Sequence, residues 1–169
     1  MTIDFEFDFE IEDWMAFQKS YMENSKQFKR TRAFAAYTIP AMLSVSFIID
    51  LLRTSITLED HIIHLLFIII WIPFARWLIN SSTLRKFRKM LGEGDNSSIL
   101  GLHRLILNED GLQYFKPDSE GKMKWSAFKK LVQTEDYYFL YNSAISAMII
   151  PKKKVDVDLG EFLRTHVAQ

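Results

Sequence analysis

Two long apolar runs set the first limit on what this chain can fold into. Residues 33–49, AFAAYTIPAMLSVSFII, carry no formal charge, and the run continues past Asp50 into Leu51 and Leu52. Residues 62–79, IIHLLFIIIWIPFARWLI, are interrupted only by His64 and Arg76. About 20 apolar residues are enough to cross a bilayer as a helix, so both runs have the length of a span. The competing reading is a pair of buried helices in a soluble domain. Leu65, Leu66, Phe67, Ile68, Ile69, Ile70 and Trp71 argue against it, because together they cover every direction around a helix and leave no wet side.

The flanks support a membrane hairpin. Tyr37, Trp71 and Trp77 lie in or near the ends of the runs, where aromatic belts form. Lys26, Lys29, Arg30 and Arg32 precede the first run, and Arg76, Arg85, Lys86, Arg88 and Lys89 close or follow the second. The connector RTSITLED has a single base, Arg53. Positive charge marks the cytoplasmic side, so both termini are expected in the cytoplasm and the connector outside. The spans are placed at about 33–52 and 62–79. Pro40 and Pro73 fall inside them, which membrane helices tolerate. Asp50 and Arg76 lie near span ends, from which a long side chain reaches the interface.

The opening segment has a different period. Ile3, Phe5, Phe7 and Phe9 alternate with Asp4, Glu6, Asp8 and Glu10, the pattern of a strand with one apolar face. Such a strand must join a sheet made elsewhere in the chain. Trp14, Phe17, Tyr21 and Phe28 then recur at roughly helical spacing, so a helix is expected from about residue 12. Residues 80–98 begin as a basic amphipathic extension, with Leu84, Phe87, Met90 and Leu91 on one face beside Arg85, Lys86, Arg88 and Lys89. They end in a helix stop and linker, GEGDN, which lacks the lysine and hydroxyl residue of a phosphate loop. From about residue 99 short strands follow, with turns at NEDG, KPDSEGK, TED and NSA. Leu159, Phe162, Leu163 and Val167 predict a short terminal helix. Four segments result: 1–32, 33–79, 80–98 and 99–169.

Charge and chemistry narrow the function. The chain is neutral overall, but residues 1–25 carry seven acids against one base and residues 26–32 carry four bases and no acid. There is no cysteine, which removes disulfides, thiolate catalysis and cysteine-based metal sites. His61 and His64 could share a helix face beside Glu59 and Asp60, but surface or interfacial histidines are the simpler reading, and no metal or cofactor is expected. No GxSxG nucleophile motif is present, and no catalytic residue can be named. Lysines mix with Trp125, Phe128, Tyr137 and Tyr138, yet the aromatics are needed for a core, and nucleic acid is not an expected partner. Lipid contact is better motivated. Lys152, Lys153 and Lys154, directly after the apolar run ending in Pro151, join Arg85, Lys86, Arg88 and Lys89 as candidates for binding anionic headgroups or a protein partner.

The order of these parts resembles the YcxB-like membrane proteins of bacteria. The likeness spans nearly the whole chain and rests most on the C-terminal segment, where Gly111, Trp125, Tyr141, Pro151 and Lys152 match the recurring pattern. The resemblance implies a small antiparallel sheet domain of pleckstrin-homology-like type, interrupted by the membrane hairpin, with the N-terminal strand pairing into the C-terminal sheet. It carries no known activity. The expected fold is therefore an α+β membrane protein of the bacterial inner membrane, multi-pass, whose cytoplasmic domain is a non-catalytic interaction or regulatory unit. A subunit of an oligomeric assembly or small transporter, and a membrane-associated enzyme, are the alternatives. The expected partners are the lipid bilayer, an unidentified protein and, in the assembly reading, further copies of the chain, with Ala36, Ser44 and Ser46 as candidate small residues on a helix-packing face.

Overall fold

The computed structural model describes residues 2–53, 58–93, 96 and 99–167. It falls into two compact units, one of Met1–Tyr21 with Phe87–Gln169 and one of Met22–Lys86. The element order is β1 (Ile3–Phe9), α1 (Ile11–Asn24), α2 (Lys26–Arg53), α3 (Leu58–Gly92), β2 (Gly101–Asn108), β3 (Gly111–Lys116), β4 (Ser119–Lys124), β5 (Lys130–Gln133), β6 (Tyr137–Tyr141), β7 (Ala147–Pro151) and α4 (Gly160–His166). Two long apolar helices thus interrupt a small antiparallel sheet unit with a C-terminal helix.

The sheet unit has two sheets, ordered β1-β2-β3-β4 and β5-β6-β7. The alternation in residues 3–9 finds its partner here. β1 pairs antiparallel with β2, with Ile3 opposite Leu107, Phe5 opposite Leu105 and Phe7 opposite His103. Ile3, Phe7 and Phe9 are buried and Phe5 is half-buried, while Asp4, Glu6 and Asp8 face water. On that wet face the Arg104 guanidinium donates to both carboxylate oxygens of Asp4 and lies 3.7 Å from Glu6. Cross-strand pairing of opposite charge accounts for the acidic half of the alternation. β6 differs, since Tyr138, Phe139, Leu140 and Tyr141 are all buried, as a continuous apolar run requires when a strand is covered on both faces.

The core is shared by both sheets, by Phe17 of α1 and by Leu159, Leu163 and Val167 around α4. Phe162, expected on the same face as those three, is only half-buried and lies against Trp125 edge-to-face with centroids 5.7 Å apart. The NEDG turn is built by Asn108, whose Oδ1 accepts from the backbone of Asp110 and Gly111 at 3.0 Å each. The Asn108 carbonyl accepts from the Trp125 indole at 2.8 Å. A one-turn helix at Trp125–Ala127 leads through Phe128 and Lys129 into β5.

In the other unit α2 and α3 run 28 and 35 residues, longer than the expected spans because helix continues through the basic flanks on either side. Only 11% and 6% of their most apolar windows are buried, where a core helix would be mostly covered. Leu52, Phe34, Met42, Ile63 and Ile70 are each more than 60% exposed. This is the surface of helices solvated by lipid, and it disposes of the soluble-domain alternative. The pair is antiparallel. Arg32 donates to the Asn80 side chain at 3.2 Å, and near the other end Ser44 lies 3.2 Å from the His64 ring, which stacks on Phe47. That register puts Ala36 and Ala75 at one level, and both are buried. Ala36 and Ser44 therefore serve packing inside the hairpin. The connector at 54–57, the side chains of Asp50, Arg53, Asp60 and His61, and Gly94–Asp95 of the linker lie outside the described residues. α3 stops at Gly92, and the Asn96 side chain donates to the Leu91 carbonyl at 2.7 Å. Along its last turns Leu91 is buried and Phe87 half-buried, but Met90, expected on the same face, is exposed.

Gly111 carries a requirement of its own. A Cβ there would sit 2.2 Å from the Met123 carbonyl oxygen in the neighbouring strand β4, and a strand backbone cannot step aside. Gly111→Ala is expected to destabilise the sheet unit by about 1–3 kcal/mol. Chemical denaturation of the reconstituted protein followed by tryptophan fluorescence would measure this, Trp125 being the reporter beside the turn.

Candidate functional site

The three lysines that follow Pro151 form a single 3₁₀ turn, Lys152–Lys154, yet their ammonium groups go to three different places. β7 is the edge of its sheet and ends at Pro151, opposite Tyr137. Proline lacks the N–H to extend a ladder, so the chain turns and the next N–H, of Lys152, donates to the Asp136 carbonyl at 2.8 Å. The Lys152 ammonium lies 4.6 Å from the Tyr138 ring centroid and donates to the Thr134 carbonyl. Lys153 points outward with its side chain 81% exposed and pairs with Asp136 at 2.7 Å. Lys154 turns inward.

Lys154 meets the N-terminal segment. Its ammonium donates to the Asp8 carbonyl at 2.8 Å, to Glu10 at 2.7 Å and to Asp13 at 2.8 Å. The Asp13 side chain is only 3% exposed. Its Oδ1 accepts from the Tyr137 hydroxyl at 3.1 Å, while Oδ2, which faces Lys154, also accepts the Glu10 backbone N–H at 2.9 Å, closing the first turn of α1 in the manner of a capping box. Burial opposes the charge on Lys154, but the hydrogen bonds to Asp13 and Glu10 outweigh it and hold its pKa above the ordinary value. Burial, reinforced by Asp13, pushes the Tyr137 phenol up to about 12. These groups join β1, α1, β6 and the turn after β7. They form a structural junction, and no reacting group is aimed at open space.

The basic residues near the end of α3 also divide. Arg88 pairs with Glu12 of α1 at 2.8 Å, and Lys89 pairs with Glu93 one turn on at 3.2 Å. Arg85 and Lys86 are exposed and make no ion pair with a described residue. The sequence places all seven cations in one class; the structure separates Lys153, Lys154, Arg88 and Lys89, which have internal acids, and Lys152, held by the Thr134 carbonyl and the Tyr138 ring, from Arg85 and Lys86.

Histidines offer the remaining chemistry. His64 faces Ser44 and Phe47 within the hairpin. His166 lies 2.8 Å from the Phe162 carbonyl through Nδ1 and 3.1 Å from Glu109 through Nε2. Both partners accept, so both ring nitrogens donate only in the imidazolium form; the Phe162 carbonyl, then Glu109, raise its pKa. His103 is buried on the inner face of β2, stacked on Phe9 with centroids 4.8 Å apart, and its pKa is lowered by burial and by the charge of Lys116. Among the described residues no group of three or more His, Asp or Glu side chains is placed to hold a metal. In the sequence His103 stands in an alternation with Leu105 and Leu107, and no local pattern marks Lys116.

Two measurements test these assignments. Lys154→Met leaves the buried Asp13 carboxylate without its cation and is expected to cost about 3 kcal/mol of stability. Lys153→Ala should leave the unfolding midpoint where it is, because a single exposed ion pair contributes little. The His166 pKa, followed by NMR, should lie above 6.5 and fall in Glu109→Gln. Its contribution to stability is complete below the unfolded histidine pKa and is lost as pH rises through the raised folded value.

No curated protein and no solved structure matches this chain. A family match is found in the segment that builds the sheet unit from the end of β2 to α4, and it contains Gly111, Trp125, Tyr141, Pro151 and Lys152. Over residues 107–167 the chain matches the YcxB-like protein family.

Proposed function

We propose that this protein is a membrane-tethered interaction module, non-catalytic, whose sheet unit lies on the cytoplasmic side of the bacterial inner membrane. The observation that carries this reading is the β1–β2 ladder. β1 precedes the first apolar helix and β2 follows the second, so both ends of the hairpin return to one folded unit on one side of the bilayer. Basic residues at those ends, from Lys26 to Arg32 and from Arg85 to Lys89, favour the cytoplasmic side. Two antiparallel sheets of four and three strands with a C-terminal helix support a pleckstrin-homology-like fold for the unit.

Within this reading Arg85, Lys86 and Lys153 are the cations that meet anionic headgroups, each contributing about 1 kcal/mol when well placed. Lys154 is committed to Asp13 and Glu10, and Lys152 to Thr134 and Tyr138, so the two steady the turn that presents Lys153. The unit is already tethered, and the attraction sets its orientation more than its recruitment.

The cysteine-free chain makes a direct test practical. A single cysteine introduced at Ile56 should react with an impermeant maleimide in intact spheroplasts, and one at Lys153 only after lysis; the reverse pattern would refute the cytoplasmic placement. A spin label at Lys153→Cys in nanodiscs should approach the bilayer as the anionic lipid fraction rises and retreat as salt rises. Charge reversal of Arg85 and Lys86 should weaken that response, and a response independent of lipid charge would remove the headgroup role.

A further inference from the structure

The inner rows of the first sheet change chemistry at one end. Along β2 the inward side chains are Leu107, Leu105 and His103, and along β3 they are Leu112, Tyr114 and Lys116. The register pairs Leu107 with Leu112 and Leu105 with Tyr114, so one step further His103 stands opposite Lys116. Two apolar rows thus finish in an imidazole and an ammonium. Above them lies an open cleft of about 240 Å³, walled by Phe9, Trp14, Phe17, Met148 and Ile149.

Lys116 is the unexplained group. It is half-buried, its pKa is pulled down by burial, and no residue lining the cleft is acidic. Its ammonium lies 5.4 Å from the Tyr114 ring centroid, a cation–π contact that supplies no formal negative charge. Beside it His103 donates through Nε2 to the Ile99 carbonyl at 3.0 Å, which fixes the ring. Lys154, whose ammonium also turns inward, has three oxygen partners by contrast. A cation facing a cleft that has Trp14, Phe17 and Met148 along its walls and no acid in its lining is complementary to an anion that arrives with apolar mass attached.

We propose that this cleft binds a single-chain anionic amphiphile of the fatty-acid type, its carboxylate on Lys116 and its alkyl chain between Trp14, Phe17 and Met148. The volume is slightly below the roughly 300 Å³ at which ordinary ligand pockets begin, which suits one alkyl chain and excludes a two-chain lipid from full entry. One ammonium beside a fixed imidazole suits a monoanion. A chain with two bilayer-solvated helices also resides where such amphiphiles concentrate. Ile99 and Ile145, both on the cleft lining, are exposed at 38% and 72%, and they give the mouth an apolar rim.

The test uses the full chain in phosphatidylcholine nanodiscs with a diazirine-bearing decanoic acid, followed by peptide mapping. Labelling is expected to concentrate on peptides containing Trp14 or Ile145–Ile149, and the matching decanol probe should label them far less. Lys116→Met should reduce labelling about tenfold or more, the loss expected for a charged hydrogen-bond partner, while Lys116→Arg retains it. Ser146→Trp, at the exposed rim, should block the cleft with the fold intact, so the proposal stays testable if Lys116→Met fails to fold. Equal labelling by acid and alcohol, no effect of Lys116→Met in a folded protein, or label confined to α2 and α3 would each overturn the assignment. So would labelling by a two-chain photoreactive phosphatidic acid that decanoate cannot displace. Bilayer orientation of the Lys153 spin label is independent of this site, so the two readings fail separately.

Discussion

The rest of the structure depends on a ladder between two strands that are almost a hundred residues apart in sequence. β1 and β2 pair over Ile3–Phe9 and Gly101–Leu107, with both apolar helices in the intervening chain. Neither part is independent of this closure. Without β2, β1 would expose four large apolar side chains to water; without β1, β2 would become an edge strand with unpaired N–H and C=O groups. The ladder also forces an even number of membrane crossings between its strands, which a single span could not satisfy. Pairing of this sequence separation is entropically costly to form, and the apolar helices shorten the search by fixing the two ends at one membrane surface.

Asp13 consolidates that closure. It sits in the first turn of α1, just after the ladder ends, and it accepts from the nearby Glu10 N–H and from two donors far away in sequence, the Tyr137 hydroxyl and the Lys154 ammonium. A buried carboxylate with a buried-side cation contributes little net stability compared with an apolar pair, because both ions lose water. Its value is that no other register satisfies it. Sliding β1 by one residue would move Phe5, Phe7 and Phe9 to the wet face and also pull Asp13 away from Lys154 and Tyr137, so the charged junction and the apolar pattern specify the same register.

Much of this was legible in the sequence because each signal was a period. The two apolar runs, the alternation in Ile3–Phe9, the turn residues Asn108–Gly111 and the face Leu159, Leu163, Val167 are local patterns with one structural answer each. The lysine cluster was different. Three adjacent lysines look identical in a string, but a 3₁₀ turn sends successive side chains roughly 120° apart, so one faces the core, one water and one a tyrosine ring. Their environments come from Asp13, Asp136 and Tyr138, residues brought in by pairing, and no local pattern announces them.

His103 and Lys116 show the same limit from the opposite side, because there the local pattern was right and the residue types broke it. Alternation places both on the inner face, where Leu, Ile or Val would add stability at no electrostatic cost. Half-burying an ammonium without an acid works against folding, and natural sequences depart from core chemistry in this way mainly where a site requires it. Position sharpens the point, since both departures fall at the same end of adjacent strands and face each other across one register step. A cation and a fixed imidazole at the floor of one cleft form a single arrangement, complementary to an anion that carries apolar substance into the space above it.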